Sequence, residues 1–383
     1  MLKRLSAFFL TLIMLLPVSA LTELDEEELY IEEWVDLPEE NDNNEIFEPD
    51  GSTVITVTCT GDFTIGGDNR KKKKSSFWKE LEANHDDINF TMANMRQILK
   101  EDDLTIVNFE GTFTDTKYVP DSKKNNEFIF NISPAYVNVL NDNFIEAVSL
   151  ANNHVMDHGT EGYEDTKNTL AQAGVIFSTQ EDIGEYYVNE DCTIAMLSYL
   201  CIDKYGKPVG GYDTFEEKVC ADITLAKQTY PVVIVSFHWG REPTKSRPDI
   251  GYIPTDNQLR LGRMAVDAGA DLIVGHHSHR IQPIEYYHGV YICYSLGNFC
   301  FSGNNKPDDM NSIVFQTRFR ISKTGEVTNT GFRIIPIQIS SVKDKNNYVP
   351  TPVTDDRTIK AIIDTMIANG KGYGLQDYPL NWN

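Results

Sequence analysis

Asp271-Leu272-Ile273-Val274-Gly275-His276-His277-Ser278-His279 is the stretch of sequence that decides the fold. It begins as a short apolar run, which is typical of a strand buried on both faces of a parallel sheet. It ends in three histidines within four positions. Because ligands bind at the carboxyl ends of strands in open α/β sheets, this stretch predicts a buried strand that carries imidazoles to a site.

The same pattern recurs along the chain. Other apolar runs rich in β-branched residues lie at positions 54–57, 104–107, 144–148, 232–235 and 290–294. Nearly every run is followed by side chains that bind metals or phosphate, at positions 61–62, 108–111, 151–154, 238–240, 275–279 and 295–299. We therefore expect distant segments to meet at one sheet edge.

Helical patterns alternate with these runs. The spacing predicts helices over residues 160–173, closed by Gly174, over 256–268, capped by Asp256, and over 354–369. Strand and helix in alternation indicate crossover units and parallel pairing. The segments 312–321 and 330–339 alternate as antiparallel strands do. The sequence predicts an α/β fold with a mixed sheet, or two packed sheets, and helices outside.

Composition excludes several classes of protein. The 383 residues are 41% hydrophobic, so a disordered chain is excluded, and the net charge of −23 argues against nucleic acid as the main partner. The longest apolar stretch, residues 5–16, is shorter than the roughly 20 residues that a bilayer span needs. A polytopic membrane protein is therefore excluded.

The N-terminal region indicates export. Residues 1–20 have a charged start, an apolar centre and small residues at 18–20, which is typical of a signal peptide, with an uncleaved anchor as the alternative. Residues 21–50 hold 14 Asp and Glu and no Lys or Arg, so 21–52 is predicted to be an acidic disordered spacer. We expect a secreted or extracellular cell-envelope protein, with the folded domain over 53–345 and a C-terminal helix and tail, 346–383, docked on it.

Six cysteines form no Cys-x-x-Cys pattern. Outside the cytoplasm we expect any disulfide to come from Cys192, Cys201 and Cys220, because they lie in one segment.

The histidines indicate a metal centre. Five of the eight lie in the strand-end clusters, together with carboxylates and amides. Such oxygen and nitrogen ligands suit Mn, Zn or Fe. The sequence predicts a divalent metal site with one or two ions.

The six clusters, in this order, resemble the bacterial capsule-synthesis CapA family, which includes poly-γ-glutamate biosynthesis proteins and is similar to calcineurin-like metallophosphoesterases. The resemblance covers about residues 54–303. It implies a metallophosphoesterase-like fold, a layered α/β/β/α sandwich with mixed sheets.

The resemblance also implies roles for individual residues. Glu110 stands where the phosphoesterases have a bridging carboxylate. His154 is implied as a general acid or as a hydrogen-bond donor to phosphate, oriented by Asp157, and the two form the implied catalytic pair. The implied metal ligands are Asp62, Glu110, Asn153, His238, His277 and His279.

One feature departs from the wider superfamily. Asp62-Phe63-Thr64 lacks the histidine that follows the first aspartate in an Asp-x-His motif. The first metal site is therefore poor in ligands, and three outcomes stay open: it holds its ion weakly, recruits another group or binds none.

Substrate contacts are less constrained by the sequence. Arg241 is a candidate for gripping a phosphate or carboxylate. Asn298 is a candidate donor to substrate, with a role in a turn as the alternative. The expected partners are an anionic polymer or phosphorylated envelope substrate and membrane-bound polymer synthesis machinery.

Three functions fit this sequence. The first is an exported metal-dependent phosphoesterase-like hydrolase in capsule or poly-γ-glutamate biosynthesis. The second is a non-catalytic metal-binding accessory subunit for synthesis, transport or attachment of an anionic envelope polymer. The third is a polysaccharide-binding module in which Trp239 and nearby tyrosines stack on sugars, with packing of these aromatics in the core as the favoured alternative.

Overall fold

Two β-sheets make the centre of the protein. The computed structural model describes residues 48, 50–68, 76–123, 128–190, 192–202 and 212–382. The strands are β1 (Thr53–Thr64), β2 (Leu104–Phe109), β3 (Thr112–Phe113), β4 (Asn131–Ile132), β5 (Ala147–Ser149), β6 (Ile176–Ser178), β7 (Gly184–Asn189), β8 (Cys192–Leu200), β9 (Val232–His238), β10 (Leu272–His276), β11 (Ile284–Tyr287), β12 (Val290–Cys293), β13 (Asn298–Phe301), β14 (Asn311–Ile321), β15 (Val327–Gln338) and β16 (Thr351–Pro352). The helices are α1 (Ser76–Ala83), α2 (Arg96–Leu99), α3 (Asn138–Asn141), α4 (Gly159–Ala173), α5 (Tyr212–Lys227), α6 (Asp256–Asp267) and α7 (Asp356–Asn369).

Both sheets mix parallel and antiparallel pairs. The first has the order β16-β15-β14-β1-β2-β5-β6, with β13 parallel to β1. Its β1, β2, β5 and β6 run parallel, whereas β14, β15 and β16 pair antiparallel. The second has the order β11-β12-β10-β9-β8-β7, with β8, β9, β10 and β12 parallel. The strands β3 and β4 form a separate pair.

Three apolar cores define the layers. The central core joins the facing sides of the two sheets, for example Val57 of β1 and Ile234 of β9. A second core packs the outer face of the first sheet against helices, including Leu170 of α4. A third packs the outer face of the second sheet against Ile223 of α5 and Leu261 of α6. These layers confirm the predicted α/β/β/α sandwich with mixed sheets.

The strand patterns explain why these segments fold as they do. Every residue of β2, β9 and β10 is buried, because each strand lies inside a sheet that is covered on both faces. Partly exposed positions recur along β15, which lies near the edge of the first sheet. The continuous apolar runs of the sequence therefore mark the central strands that lead to the site.

The predicted helices lie close to their expected bounds. α4 ends at Gly174, whose φ of 72° lies in the left-handed region that favours glycine. α6 begins at Asp256, but the prediction that Asp256 caps it is wrong. Thr255 is the cap, and it forms a capping box with Gln258. α7 runs from Asp356 to Asn369 and buries Ile362 and Met366 against the central core.

The expected disulfide among the clustered cysteines does not form. All six cysteines are free. Cys192 lies in the central core, whereas Cys201 lies in the third core, beyond the other end of β8. Nine residues of extended strand separate them by about 30 Å, which a disulfide does not bridge.

The predicted signal peptide and all but the last residues of the predicted acidic spacer lie outside the described residues. No helix in the described part of the chain is both long enough and apolar enough to cross a membrane.

Gly275 should be required for close packing around β10. A Cβ atom at this position would lie 2.1 Å from the Tyr294 carbonyl oxygen and 2.4 Å from the Trp239 indole nitrogen. We expect Gly275→Ala to lower the free energy of unfolding by about 3 kcal/mol, measured by urea denaturation, because the rigid backbone cannot move aside cheaply. Gly325→Ala is the control, since its φ of 80° is strained for alanine but nothing lies within 4 Å, and it should cost about 1 kcal/mol. Equal costs for the two variants would contradict this account.

Candidate metal centre

The carboxyl ends of parallel strands from both sheets converge on one buried region. Asp62 lies near the end of β1, and Glu110 directly follows the neighbouring strand β2. In the second sheet, His238 ends β9 and is paired in register with His276, which ends β10. Side chains from distant parts of the sequence therefore meet because their strands are neighbours and point the same way.

Three of these side chains form a compact group of potential ligands. Ligand atoms of Asp62, Glu110 and His238 all lie within 4.8 Å of one another, and all three residues are buried. The Nε2 atom of His238 lies 3.2 Å from Oε1 of Glu110. The spacing fits a single cation held by two carboxylates and an imidazole.

Asp62 also contacts groups from two other segments. Its Oδ1 accepts a hydrogen bond of 2.9 Å from Asn108 Nδ2 and lies 3.2 Å from Nδ1 of His276. Its Oδ2 accepts from the backbone N–H of His277 at 3.3 Å and lies 3.0 Å from Nδ1 of His279. The imidazoles of His276 and His279 therefore lie beside Asp62, and the three outcomes that the sequence left open stay predictions.

Several buried polar atoms in this region have no hydrogen-bond partner among the residues that the structure describes. Buried polar groups in folded proteins are nearly always paired, so a cluster of unpaired atoms requires an explanation. Oxygen and neutral imidazole nitrogen are ligands that Mn, Zn and Fe accept, so the donor set fits a divalent ion. The unpaired atoms are Glu110 Oε1 and Oε2, Asn153 Oδ1, His238 Nε2, His276 Nδ1 and His277 Nδ1.

The pKa values of the two carboxylates are shifted in opposite directions. Burial alone raises the pKa of Asp62, but the imidazoles of His276 and His279 outweigh this and hold that pKa well below its usual range. Burial and the neighbouring Asp62 raise the pKa of Glu110 well above its usual range. The surroundings therefore favour the ionised form of Asp62 and the protonated form of Glu110.

The pKa values of the histidines at this site are also shifted in opposite directions. Burial lowers the pKa of His277 to about 4, and burial together with His277 lowers the pKa of His238 well below its usual value. Both imidazoles are therefore neutral at pH 7, with ring centroids 4.7 Å apart. Burial also acts to lower the pKa of His279, but its hydrogen bond to Asp62 and the neighbouring carboxylates raise that pKa to about 10.

His154 lies beside the cluster in a chain of polar contacts. Its Nδ1 is 2.8 Å from Oδ2 of the fully buried Asp157. The other oxygen, Oδ1, accepts from Lys123 Nζ at 2.7 Å, and Oδ2 also accepts from the Phe130 backbone N–H at 2.9 Å. Asp157 thus occupies Nδ1 of His154 and leaves Nε2 to exchange a proton.

A cavity of about 990 Å³ opens onto this region. Asn298 is buried and accepts from His279 Nδ1 at 2.8 Å, so it orients that ring. Arg241 is exposed and is not among the residues that line the cavity, and its role toward substrate stays a prediction. The cavity is lined by Phe128, Phe130, Asn153, His154, Glu242, Pro243, Thr244, Lys245, Pro248, Tyr252, His279, Arg280, Asn298, Phe301, Asn304, Pro307 and Asp308.

The structure brings most of the predicted site residues together and adds others. Asp62, Glu110, His238, His277 and His279 are connected by the contacts described above, and Asn153 and His154 line the adjoining cavity. Sequence reasoning assigned no role to Asn108, His276, Lys123 or Arg280. Asn108 and His276 stand inside the strand-end clusters, so a signal for them existed. Nothing near Lys123 or Arg280 in the sequence marks them.

The polysaccharide-stacking role suggested for Trp239 is wrong. Trp239 is only 2% exposed, and its indole Nε1 donates to the Tyr294 carbonyl at 2.8 Å. Its ring stacks on Phe237 inside the third core. A residue packed in this way cannot present a face to a sugar.

Comparisons with known proteins agree with the order of the clusters. The family model described as "Bacterial capsule synthesis protein PGA_cap" matches residues 56–303. The PGA biosynthesis protein CapA of Bacillus subtilis is 32% identical over 274 residues, which cover 68% of this chain and 66% of that protein. The capsule biosynthesis protein CapA of Bacillus anthracis is 27% identical over 314 residues, covering 76% of this chain and 71% of that protein.

Among solved structures, NAD nucleotidase from Haemophilus influenzae aligns with 86% of this chain and 64% of its own, at 12% identity and a TM-score of 0.35. The fold assignment rests on the layers and strand order described above. The family model spans most of the folded domain and includes every strand-end cluster of the site. The resemblance is thus confirmed, and the chain belongs to the bacterial capsule synthesis protein family PGA_cap.

Proposed function

We propose that this protein is an exported, metal-dependent phosphoesterase-like hydrolase that acts in capsule or poly-γ-glutamate biosynthesis. The observation that carries the proposal is the set of unpaired, buried oxygen and nitrogen atoms at the converging strand ends. A purely structural polar core would pair these atoms with one another. Their residue types and positions match the ligands that the family resemblance implies.

The residues that would hold an ion are Asp62, Glu110 and His238, with His277, His279, His276 and Asn153 around them. Neutral imidazoles and a carboxylate are the forms that bind metal, and His238 and His277 are already neutral at pH 7. A bound divalent cation would supply positive charge for an anionic substrate and would acidify water.

His154 would supply the proton that a leaving oxygen needs. Asp157 fixes its ring through Nδ1, so the proton to be transferred resides on Nε2. His154 lines the same cavity as His279 and Asn153, which places it against whatever the cavity binds. The arrangement supports general acid catalysis.

The names of the relatives indicate the process in which such a reaction would occur. The Bacillus subtilis and Bacillus anthracis proteins are named for PGA and capsule biosynthesis. We propose for this chain an anionic polymer or phosphorylated envelope substrate and an association with membrane-bound polymer synthesis machinery. Export by residues 1–20 belongs to the same proposal.

One observation favours a second candidate, the non-catalytic accessory subunit that binds a metal. Both oxygens of Asp62 already have hydrogen-bond partners, namely Asn108, the His277 backbone and the imidazole of His279. This compensation favours a single ion held mainly by Glu110 and His238. A protein with one ion would bind an anionic polymer but would lack the second cation of a two-metal hydrolytic site.

Replacing Glu110 tests the metal centre. We expect Glu110→Gln to weaken Mn or Zn binding at least 10-fold, because the amide removes a charge and one ligand oxygen, as measured by elemental analysis and competition with a chelator. Glu285→Gln is the matched control, since Glu285 is also buried but pairs with Arg263 away from the centre. A Glu110→Gln protein with full metal affinity would contradict the proposed ligand role.

Metal binding should release a proton. In the metal-free protein, the surroundings raise the pKa of Glu110 well above its usual value and the pKa of His279 to about 10, which favours the protonated forms. We expect an ion bound by Glu110 to displace about one proton from this pair, because the metal binds the ionised carboxylate. Calorimetric titration in two buffers of different ionisation enthalpy measures the number. Binding without proton release would rule out this account.

The His154–Asp157 pair separates the two candidate functions. If the protein is a hydrolase, His154→Gln and Asp157→Asn should each lower kcat by about 10²-fold or more on p-nitrophenyl phosphate or its diester, with metal content unchanged. Stoichiometric metal with no turnover by the unmodified protein would instead favour the accessory subunit. Absence of metal under metal-replete conditions would exclude both candidates.

A further inference from the structure

Arg280 is a cation inside the cavity that no carboxylate neutralises. It follows His279 directly and lines the cavity. Other arginines, such as Arg260 and Arg263, pair with Glu216 and Glu285. In the part of the chain that the structure describes, no carboxylate lies within ion-pair distance of Arg280.

The guanidinium is held in place by uncharged groups. Its Nη1 donates to the His279 carbonyl at 2.9 Å, and its central carbon lies 5.6 Å from the centre of the Tyr252 ring. The Nε atom is buried and has no hydrogen-bond partner among the described residues. A desolvated N–H donor on a permanent cation is costly unless an acceptor fills its place.

The backbone also ties Arg280 to the metal centre. Ser278 Oγ donates to the Arg280 carbonyl at 3.0 Å and accepts from its N–H at 3.4 Å. Because Nη1 holds the carbonyl of the preceding residue, the guanidinium stays next to His279. An anion bound by Arg280 would therefore lie beside the group held at the Asp62–Glu110–His238 cluster.

The remaining charges of the cavity show which ligands fit. Lys245 is exposed on the lining, and Glu242 and Asp308 lie on it as carboxylates. Glu242 is directed toward the metal centre, with Oε1 at 3.7 Å from Nδ1 of His277. The lining also carries Phe128, Phe130 and Phe301, and the ring of Phe130 contacts the other two. The cavity thus combines an apolar part with the cations Lys245 and Arg280.

We propose that Arg280 is a specificity residue that binds a second oxyanion of the substrate, a carboxylate or a phosphate, next to the group held at the metal centre. The ligand class is a molecule with two anionic groups a short distance apart. The guanidinium offers Nε and a second N–H in the planar arrangement that matches two oxygens of one oxyanion. This inference extends the proposed function by naming the substrate class.

The test compares ligands that differ by one anionic group. Glutarate and butyrate share a short chain, but only glutarate has a second carboxylate; 3-phosphonopropionate replaces one carboxylate by a phosphonate. With the full-length protein we expect glutarate or 3-phosphonopropionate to bind at least 10-fold more tightly than butyrate in calorimetric titration. The stronger of the two ligands distinguishes a carboxylate-bearing from a phosphate-bearing substrate.

Variants assign the preference to one side chain. Arg280→Gln should abolish the 10-fold preference, and Arg280→Lys should restore only part of it because an ammonium lacks the planar fork. Arg247→Gln removes the same charge from an exposed arginine that pairs with Asp249 outside the cavity lining, and it should keep the preference. Thermal unfolding of each variant checks that it folds.

An NMR measurement on Arg280 itself tests this inference independently of the metal centre. In protein labelled with ¹⁵N-arginine, the Nε–H resonance of Arg280 should shift when glutarate is added, with or without added Mn. A shift without metal, in a protein that shows no turnover, would support Arg280 while the hydrolase proposal fails. An unchanged resonance, or a preference that survives Arg280→Gln, would overturn the inference, and loss of the preference in Arg241→Gln would transfer the role to Arg241.

Discussion

The burial of two carboxylates within reach of each other is the constraint on which the site depends. Asp62 and Glu110 are fully buried, and their oxygens lie close enough to share a ligand. Moving a single carboxylate out of water costs several kcal/mol, and a like charge nearby adds to that cost. The protein offsets the charge of Asp62 with imidazoles and N–H groups but gives Glu110 no donor. Only a proton or a cation can stabilise Glu110 there.

The backbone is shaped to make this arrangement possible. His277 and His279 have φ values of 92° and 53°, in the left-handed region that non-glycine residues rarely adopt. This turn directs the backbone N–H of His277 and the ring of His279 to the same oxygen of Asp62. Such strain, of order 1–3 kcal/mol per residue, persists only where surrounding contacts enforce it, and it concentrates at functional sites.

The sequence predicts the strand ends well and the turns between them poorly. Asp62, Glu110 and His238 can be identified from the sequence because each lies at the end of a buried apolar run. Parallel strands bring such ends to the same edge of the sheet. In a regular strand His276 and His277 would point to opposite faces, so their joint presence at the site depends on the left-handed backbone after β10. The periodicity of the sequence does not reveal that conformation.

Lys123 and Arg280 lie in loops, where sequence spacing does not define side-chain position. The disulfide prediction for the clustered cysteines was wrong, because residues that are close in sequence along an extended strand lie far apart in space.

The two sides of the centre differ in what an incoming cation must displace. On the Glu110 side, His238 and His277 are neutral and need lose no proton, so binding costs only the proton of Glu110. On the Asp62 side, the raised pKa of His279 means that the carboxylate already has a cationic partner, which a metal would have to deprotonate. The missing histidine after Asp62 therefore matters less for the number of nearby imidazoles, since His276 and His279 lie beside this carboxylate, than for the charge already present. That charge favours occupation of the Glu110 side first, because an ion at Asp62 would have to displace the proton of His279.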